Sequence, residues 1–384
     1  MKCMKNIFTL LGICLCLCLP MSVSANETIK VGANFELSGP GGNYGQDMVD
    51  GINLAIDHLN QKGGLLDHRS VDLVTFDNRS DTTESASLAQ RMIKEKVVGV
   101  LGPAMTGTSL ATVPILSNGK VPLVLPAATG AGLTLKENGE VWEYLYRVCF
   151  EDPFQGRAGA RFAYQHLKAK KVMVVTDAIS DYSQGISDNF MKEYKGLGGD
   201  ILSQAFFASG DRDFTALLTS IYTLKPDLIY LPCYYTEAGL FIKQAREMGI
   251  ETPILGSDGF ASDVLLDLAG DQNTHDVYYT DHFSPLSDNP KVQSFLSDFQ
   301  AKYHREASTF SALGYDAANL LFDAIERAQS TDTDKVNQAL ASTKDFEGVT
   351  GSFSIDANHN PIKSAVVVKL DQGKVDSAVE VQVK

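Results

Sequence analysis

Cysteine is nearly missing from the body of this chain. Of its six cysteines, four (Cys3, Cys14, Cys16, Cys18) fall in the first 25 residues, leaving Cys149 and Cys233. That excludes a scaffold stapled by several bridges and a cysteine-rich metal fold; the remaining pair either forms one bridge or sits as two buried, inert thiols. Basic residues are also short, 33 Lys and Arg against 47 Asp and Glu. An acidic surface of this kind excludes nucleic acid and anionic lipid as partners. Long apolar runs are missing too: the best, Ile7 to Leu19, is too short to span a bilayer comfortably. No Gly-x-Ser-x-Gly elbow, His-Glu-x-x-His helix or Cys and His pair in a known local signature occurs, which argues against an exported hydrolase. The seven histidines (His58, His68, His166, His275, His282, His304, His359) lack metal-ligand spacing and read as surface or capping residues, so neither metal nor cofactor is expected.

What is present begins with an export signal. Lys2 and Lys5 precede the Ile7 to Leu19 run, and Val23-Ser24-Ala25 forms a small-residue cleavage site. Cleavage after Ala25 leaves 31 basic and 47 acidic residues, a formal charge of −16. The mature chain is long enough to bury two cores. Its apolar pattern alternates between short strands and amphipathic helices: strands at 28–35, 71–77, 171–176, 201–207, 228–232, 254–256 and 277–280, with helices between them. This alternation predicts doubly wound parallel sheets, an α/β class. The glycine-rich turn at 39–45 lacks the spacing of a dinucleotide fingerprint. The pattern breaks at 146–156, resumes, then gives three helical stretches (290–303, 313–328, 333–340) and a strand-like tail at 351–356 and 364–370.

Residues 97–132 hold the clearest unit. Val97-Val98-Gly99-Val100-Leu101 and Val121-Pro122-Leu123-Val124-Leu125 each end in a small-residue turn carrying a threonine, Thr106 and Thr129, and a stretch of helical composition joins them. A right-handed strand, helix, strand crossover puts both turns at the carboxyl ends of parallel strands, where open α/β sheets take their ligands.

Several segments, taken in order, are familiar: Leu37-Ser38-Gly39-Pro40 before Tyr44-Gly45, Asn60-Gln61-Lys62-Gly63-Gly64-Leu65, Val100-Leu101-Gly102-Pro103, Pro126-Ala127-Ala128-Thr129, Asp152 with Gln155-Gly156, Tyr182-Ser183-Gln184-Gly185, and Gly256-Ser257-Asp258-Gly259. Through them the chain resembles the periplasmic solute-binding proteins of ABC transporters of the branched-chain amino acid type. The resemblance implies two doubly wound parallel-sheet lobes joined by a three-stranded hinge, the type I periplasmic binding arrangement. It divides the chain into 26–148 with 283–355 and 149–282 with 356–384. It also implies a monomer that delivers its ligand to a membrane permease, with hinge closure over the ligand.

An amino acid zwitterion needs donors for its carboxylate and acceptors for its ammonium. The resemblance points to Thr106 with the amides of the following helix for the carboxylate, Thr129 for either group, the carbonyl of Ala127, and Asp258 for the ammonium. Thr106 and Thr129 could equally be helix caps, and Asp258 could shape a turn. Tyr44, Tyr182 and Tyr234 match pocket-lining positions, and Met105, Ala128 and Phe150 are expected to complete an apolar wall. Arg79, Arg147, Arg157 and Arg212 fall on no motif position, which favours a ligand with a neutral, apolar side chain. The alternatives are an aromatic amino acid, a carboxylate lacking an amine, or a small amide on the same fold; an exported hydrolase or a sensor ectodomain stands further off.

Overall fold

A computed structural model describes residues 28–381, so the export signal lies outside the described residues. The first half runs β1 (Ile29–Phe35), α1 (Gly42–Gln61), β2 (Val71–Asp77), α2 (Thr82–Glu95), β3 (Val100–Leu101), α3 (Thr106–Asn118), β4 (Leu123–Leu125) and β5 (Leu145–Arg147). These five strands form one sheet in the order β2-β1-β3-β4-β5, parallel throughout. Strands β3, β4 and β5 are buried at every residue. Helices cover both faces of such a sheet, which is why its strands read as continuous apolar runs.

The chain then continues through α4 (Asp152–Arg161), β6 (Lys171–Asp177), α5 (Asp181–Gly196), β7 (Asp200–Phe207), α6 (Thr215–Leu224), β8 (Leu228–Leu231), α7 (Tyr235–Glu247), β9 (Ile254–Gly256), α8 (Asp263–Ala269) and β10 (Val277–Asp281). After α9 (Pro290–Tyr303), α10 (Thr309–Ala328) and α11 (Thr333–Ala341) come a hairpin, β11 (Phe346–Gly348) with β12 (Gly351–Phe353), and a last pair, β13 (Ala365–Asp371) and β14 (Lys374–Val381). The second sheet is seven-stranded, β14-β13-β10-β9-β8-β6-β7, with β13 and β14 joining antiparallel at one edge.

Helix α10 packs along α1 and touches β3 and β4, so the chain returns to the first sheet after β10 and leaves it again before β13. Three segments therefore cross between the sheets, one after β5, one after β10 and one before β13. The α1 and α10 backbones come close where both helices carry glycine: a Cβ at Gly51 would stand 1.9 Å from the Ser311 carbonyl.

Two expectations are corrected here, and one open alternative is decided. Residues 145–147, overlapping the start of the stretch without clear period, form β5, whose strand character rests on pairing with β4. The strand expected over 351–356 is limited to Gly351–Phe353 and pairs only with β11. Cys149 and Cys233 are separate buried thiols, so the single bridge is not formed. No helix among the described residues is long and apolar enough to cross a membrane.

Candidate functional site

The turn after β3 starts at Gly102, whose φ of +87° and packing against the Asn34 carbonyl require glycine. It delivers Thr106 to the first position of α3, buried at 4% exposure. The Thr106 hydroxyl accepts from the Gly130 amide at 3.2 Å, which joins the two threonine turns. Part of the α3 N-terminus is already used by a residue the sequence reading passed over. The buried Glu36 carboxylate accepts from the amides of Ala104 at 2.9 Å and Met105 at 3.4 Å, and from the Thr108 hydroxyl. Burial raises the Glu36 pKa, and those hydrogen bonds pull it back down. Glu36 takes the two amides just before the helix, and the Thr106 amide at its first position has no partner among the described residues.

The turn after β4 is held from behind by Arg147. Its fully buried guanidinium donates to the carbonyls of Ala128 at 3.3 Å and Gly130 at 3.0 Å, and pairs with Glu151 at 2.5 Å. This arginine is committed to positioning the turn. It fixes Ala127 and Thr129; the Ala127 carbonyl accepts nothing among the described residues, and the Thr129 hydroxyl is buried without a partner.

The opposite wall comes from the second sheet. Asp258 follows β9 and is 3% exposed. Its Oδ1 accepts from Gln155 Nε2 at 2.8 Å and from the Tyr182 hydroxyl at 2.5 Å, and its Oδ2 lies 3.2 Å from His282 Nε2. Gln155 is fixed in turn, its Oε1 accepting from the Asp258 amide at 3.0 Å and from the Thr280 hydroxyl at 2.7 Å. The Tyr182 ring stacks on Tyr234, centroids 4.9 Å apart. From the first lobe Tyr44 reaches across: its hydroxyl donates to the Gly259 carbonyl at 2.6 Å and accepts from the Tyr235 amide at 3.2 Å. Burial holds the Tyr44, Tyr182 and Tyr234 phenols well above their ordinary pKa, so they remain protonated donors.

Together these groups meet around one small cavity lined by Tyr44, Ala104, Met105, Thr106, Ala127, Thr129, Tyr182, Tyr234, Asp258, Gly259 and Phe310. Eight of the ten expected residues therefore meet at one cavity. The other two do not line it. Phe150 packs its ring on His282 at 3.6 Å, inside the crossing segments, and Ala128 faces the apolar core of the first sheet while its carbonyl serves Arg147.

His282 is the clearest correction. It was expected at a surface or cap, yet it is 3% exposed and touches Asp258. Burial lowers its pKa, which keeps the ring neutral, and its Nδ1 has no partner. Only tertiary burial distinguishes it from the other histidines; the nearest sequence signal was its place at the end of a strand. Phe310 likewise enters the cavity from α10, far along the chain, with no motif to announce it. Asp152, quoted only as a family mark, is 1% exposed, and burial pushes its carboxyl up to about 8. No cluster of three metal-ligating side chains occurs among the described residues.

The cavity lies between the two sheets, with donors on one wall and an acid on the other, an arrangement suited to holding a small polar ligand. The known proteins similar to this chain agree in architecture. The LivJ substrate binding protein of a branched-chain amino acid transporter from Streptococcus pneumoniae, solved in complex with isoleucine, is 39% identical with a TM-score of 0.87, covering 92% of this chain and 99% of that one. The leucine binding protein LivK from Thermotoga maritima is 38% identical with a TM-score of 0.85 over the same shares. Leu/Ile/Val-binding protein homolog 2 of Brucella abortus is 28% identical over 95% of both chains. The family profile described as periplasmic binding protein matches residues 28–374, and the chain belongs to the periplasmic binding protein family.

Proposed function

We propose that this protein is the substrate-binding component of an ABC importer and captures a neutral, branched-chain or similarly apolar amino acid between its lobes. It binds and releases its ligand unchanged, as a transport receptor and not an enzyme. The observation that carries the reading is the facing pair of walls: Thr106, Thr129 and the Ala127 carbonyl on one side, and Asp258 on the other. The donors suit a carboxylate and the acid suits an ammonium, while Met105, Phe310 and the tyrosines leave only apolar surface for a side chain. A carboxylate without an amine would leave Asp258 buried and facing no cation, which disfavours that alternative.

The lobe division that fits this reading is 26–148 with 283–355 against 149–282 with 356–384, and the assignment of strands to the two sheets supports it. Export with cleavage after Ala25, delivery to a membrane permease and a monomeric state complete the proposal. The test is a thermal-shift screen of the mature protein against amino acids, aromatic carboxylates and amine-free analogues. A ligand at a hundred times its Kd stabilises by about 2.7 kcal/mol. Leucine, isoleucine or valine should give the largest rise in Tm. A rise confined to amine-free carboxylates, or a flat screen, contradicts the assignment.

A further inference from the structure

Strand β10 carries Tyr279 and Asp281 two residues apart, on one face of the sheet, and neither lines the ligand cavity. Both line a separate groove of about 1080 Å³, bounded by β10 and the β13–β14 turn on one side and by α9 and α10 on the other. Phe260, Leu266, Leu370 and Val375 give the sheet side an apolar surface, and Phe283 and Leu296 do the same opposite. Apolar walls around a few convergent polar groups are the usual make-up of a small-molecule site.

The polar groups here are buried and under-used. Asp281 is 3% exposed, and its one hydrogen bond among the described residues comes from the His282 amide, 2.6 Å from Oδ1. The Phe283 amide and the Thr309 hydroxyl lie near enough to favour its ionised form without completing a bond in good geometry. Thr309, the first residue of α10, is also 3% exposed, and its hydroxyl has no partner. The Tyr279 phenol keeps its proton, since burial holds it well above its ordinary value.

The neighbouring cations are committed elsewhere. Arg305 pairs with Asp47 at 2.8 Å and Asp50 at 2.7 Å. Lys363 senses the charge of Asp281 from the third crossing segment, but its ammonium donates to the Val148 carbonyl and the Thr350 hydroxyl. His304 and Lys374 stand exposed at the rim. A buried acid facing no paired cation is disfavoured, and an occupant that brings its own positive charge removes that cost. A primary ammonium has three N–H donors, and Asp281 Oδ2 with the Thr309 and Tyr279 hydroxyls supplies three oxygens to accept them.

We propose that this groove is a second small-molecule site, separate from the ligand cavity, that takes a primary amine with an apolar body. The ammonium sits on Asp281, Thr309 and Tyr279, and the hydrocarbon lies against Leu266, Phe283 and Leu296. Because β10 belongs to the second sheet and α10 packs along α1 beside the first, the bound amine touches both bodies.

The test is calorimetric titration of isoamylamine into the mature protein saturated with L-leucine, which keeps the amine out of the ligand cavity. One amine bound per protein is expected, with isoamyl alcohol, the same body without the charge, giving no measurable binding. Asp281→Asn should weaken the amine by about 10- to 100-fold, the worth of one charge-assisted hydrogen bond, and leave leucine affinity unchanged. Thr309→Val should weaken it by about tenfold, and it decides the matter should Asp281→Asn fail to fold. No heat from the amine, competition between amine and leucine, equal binding of the alcohol, or an amine affinity that neither substitution moves would each overturn the site. Should leucine itself not bind, the amino acid reading fails, and the amine titration of wild type against Asp281→Asn still decides for the groove.

Discussion

Asp258 lines the ligand cavity, Asp152 is buried outside its lining, and the two stand in opposite polar surroundings. Gln155, Tyr182 and His282 supply Asp258 with donors, whereas Asp152 has none. Asp281, next to His282 on the second crossing segment, is buried as well and pushed up to about 7. Both raised acids have folded values above the unfolded 3.8, so their stabilising contribution is complete below that pH and is lost as pH rises through 7 and 8. His282 has the opposite sign. Its folded value is depressed below 6.5, so its contribution is complete above that pH and lost below it. Lys363, lowered by burial to about 8, adds stability with rising pH only above that value. Between pH 6.5 and 8 the raised acids therefore dominate. Scanning calorimetry of the ligand-free protein should show Tm falling across that interval, with Asp152→Asn removing much of the slope. A Tm that climbs across the interval would contradict these protonation states.

At the scale of elements, the contact between α1 and α10 binds the third helical group to the first sheet. Gly51 lies against the Ser311 carbonyl, and a Cβ at Gly314 would stand 2.4 Å from the Met48 carbonyl. Neither backbone can admit a methyl group without moving. Gly51→Ala should cost about 1–3 kcal/mol, the usual range for overpacking, measured by urea unfolding. An unchanged midpoint would mean the helices are not so close. The alternation of strands and helices was legible in the sequence because these elements are buried on predictable faces. The start of α10 was not: Ser308 caps the helix with Ser311, so it begins at Thr309, a turn before the apolar stripe at Leu313 suggests. β5 was hidden for a different reason, since three residues are too few to show a period. In the site, Thr106 and Thr129 could be picked out because they follow apolar runs at strand ends, while the role of Asp258 came from the family resemblance. Phe150 and His282 could not be placed, because which of them meets Asp258 depends on how two crossing segments lie side by side. Glu36 follows a strand too, yet nothing local announces that it caps a helix some 70 residues further on.

For the whole molecule, closure is a matter of what bridges the two lobes. Tyr44 contacts Gly259 and Tyr235, and Ser262 donates to Asn43 at 2.7 Å, so one cluster at the start of α1 already spans the cleft. A zwitterion adds contacts available only when both walls are close, and that differential affinity is what draws the hinge shut. Asp258 is the charged half of that bridge on the second lobe. The most direct measurement is calorimetric titration of L-leucine against the wild-type protein and Asp258→Ala. Tight binding to the wild type and a loss of about 3–5 kcal/mol in the variant, with its fold intact by circular dichroism, is the predicted result. Wild-type affinity in Asp258→Ala would contradict capture of the ammonium by this acid.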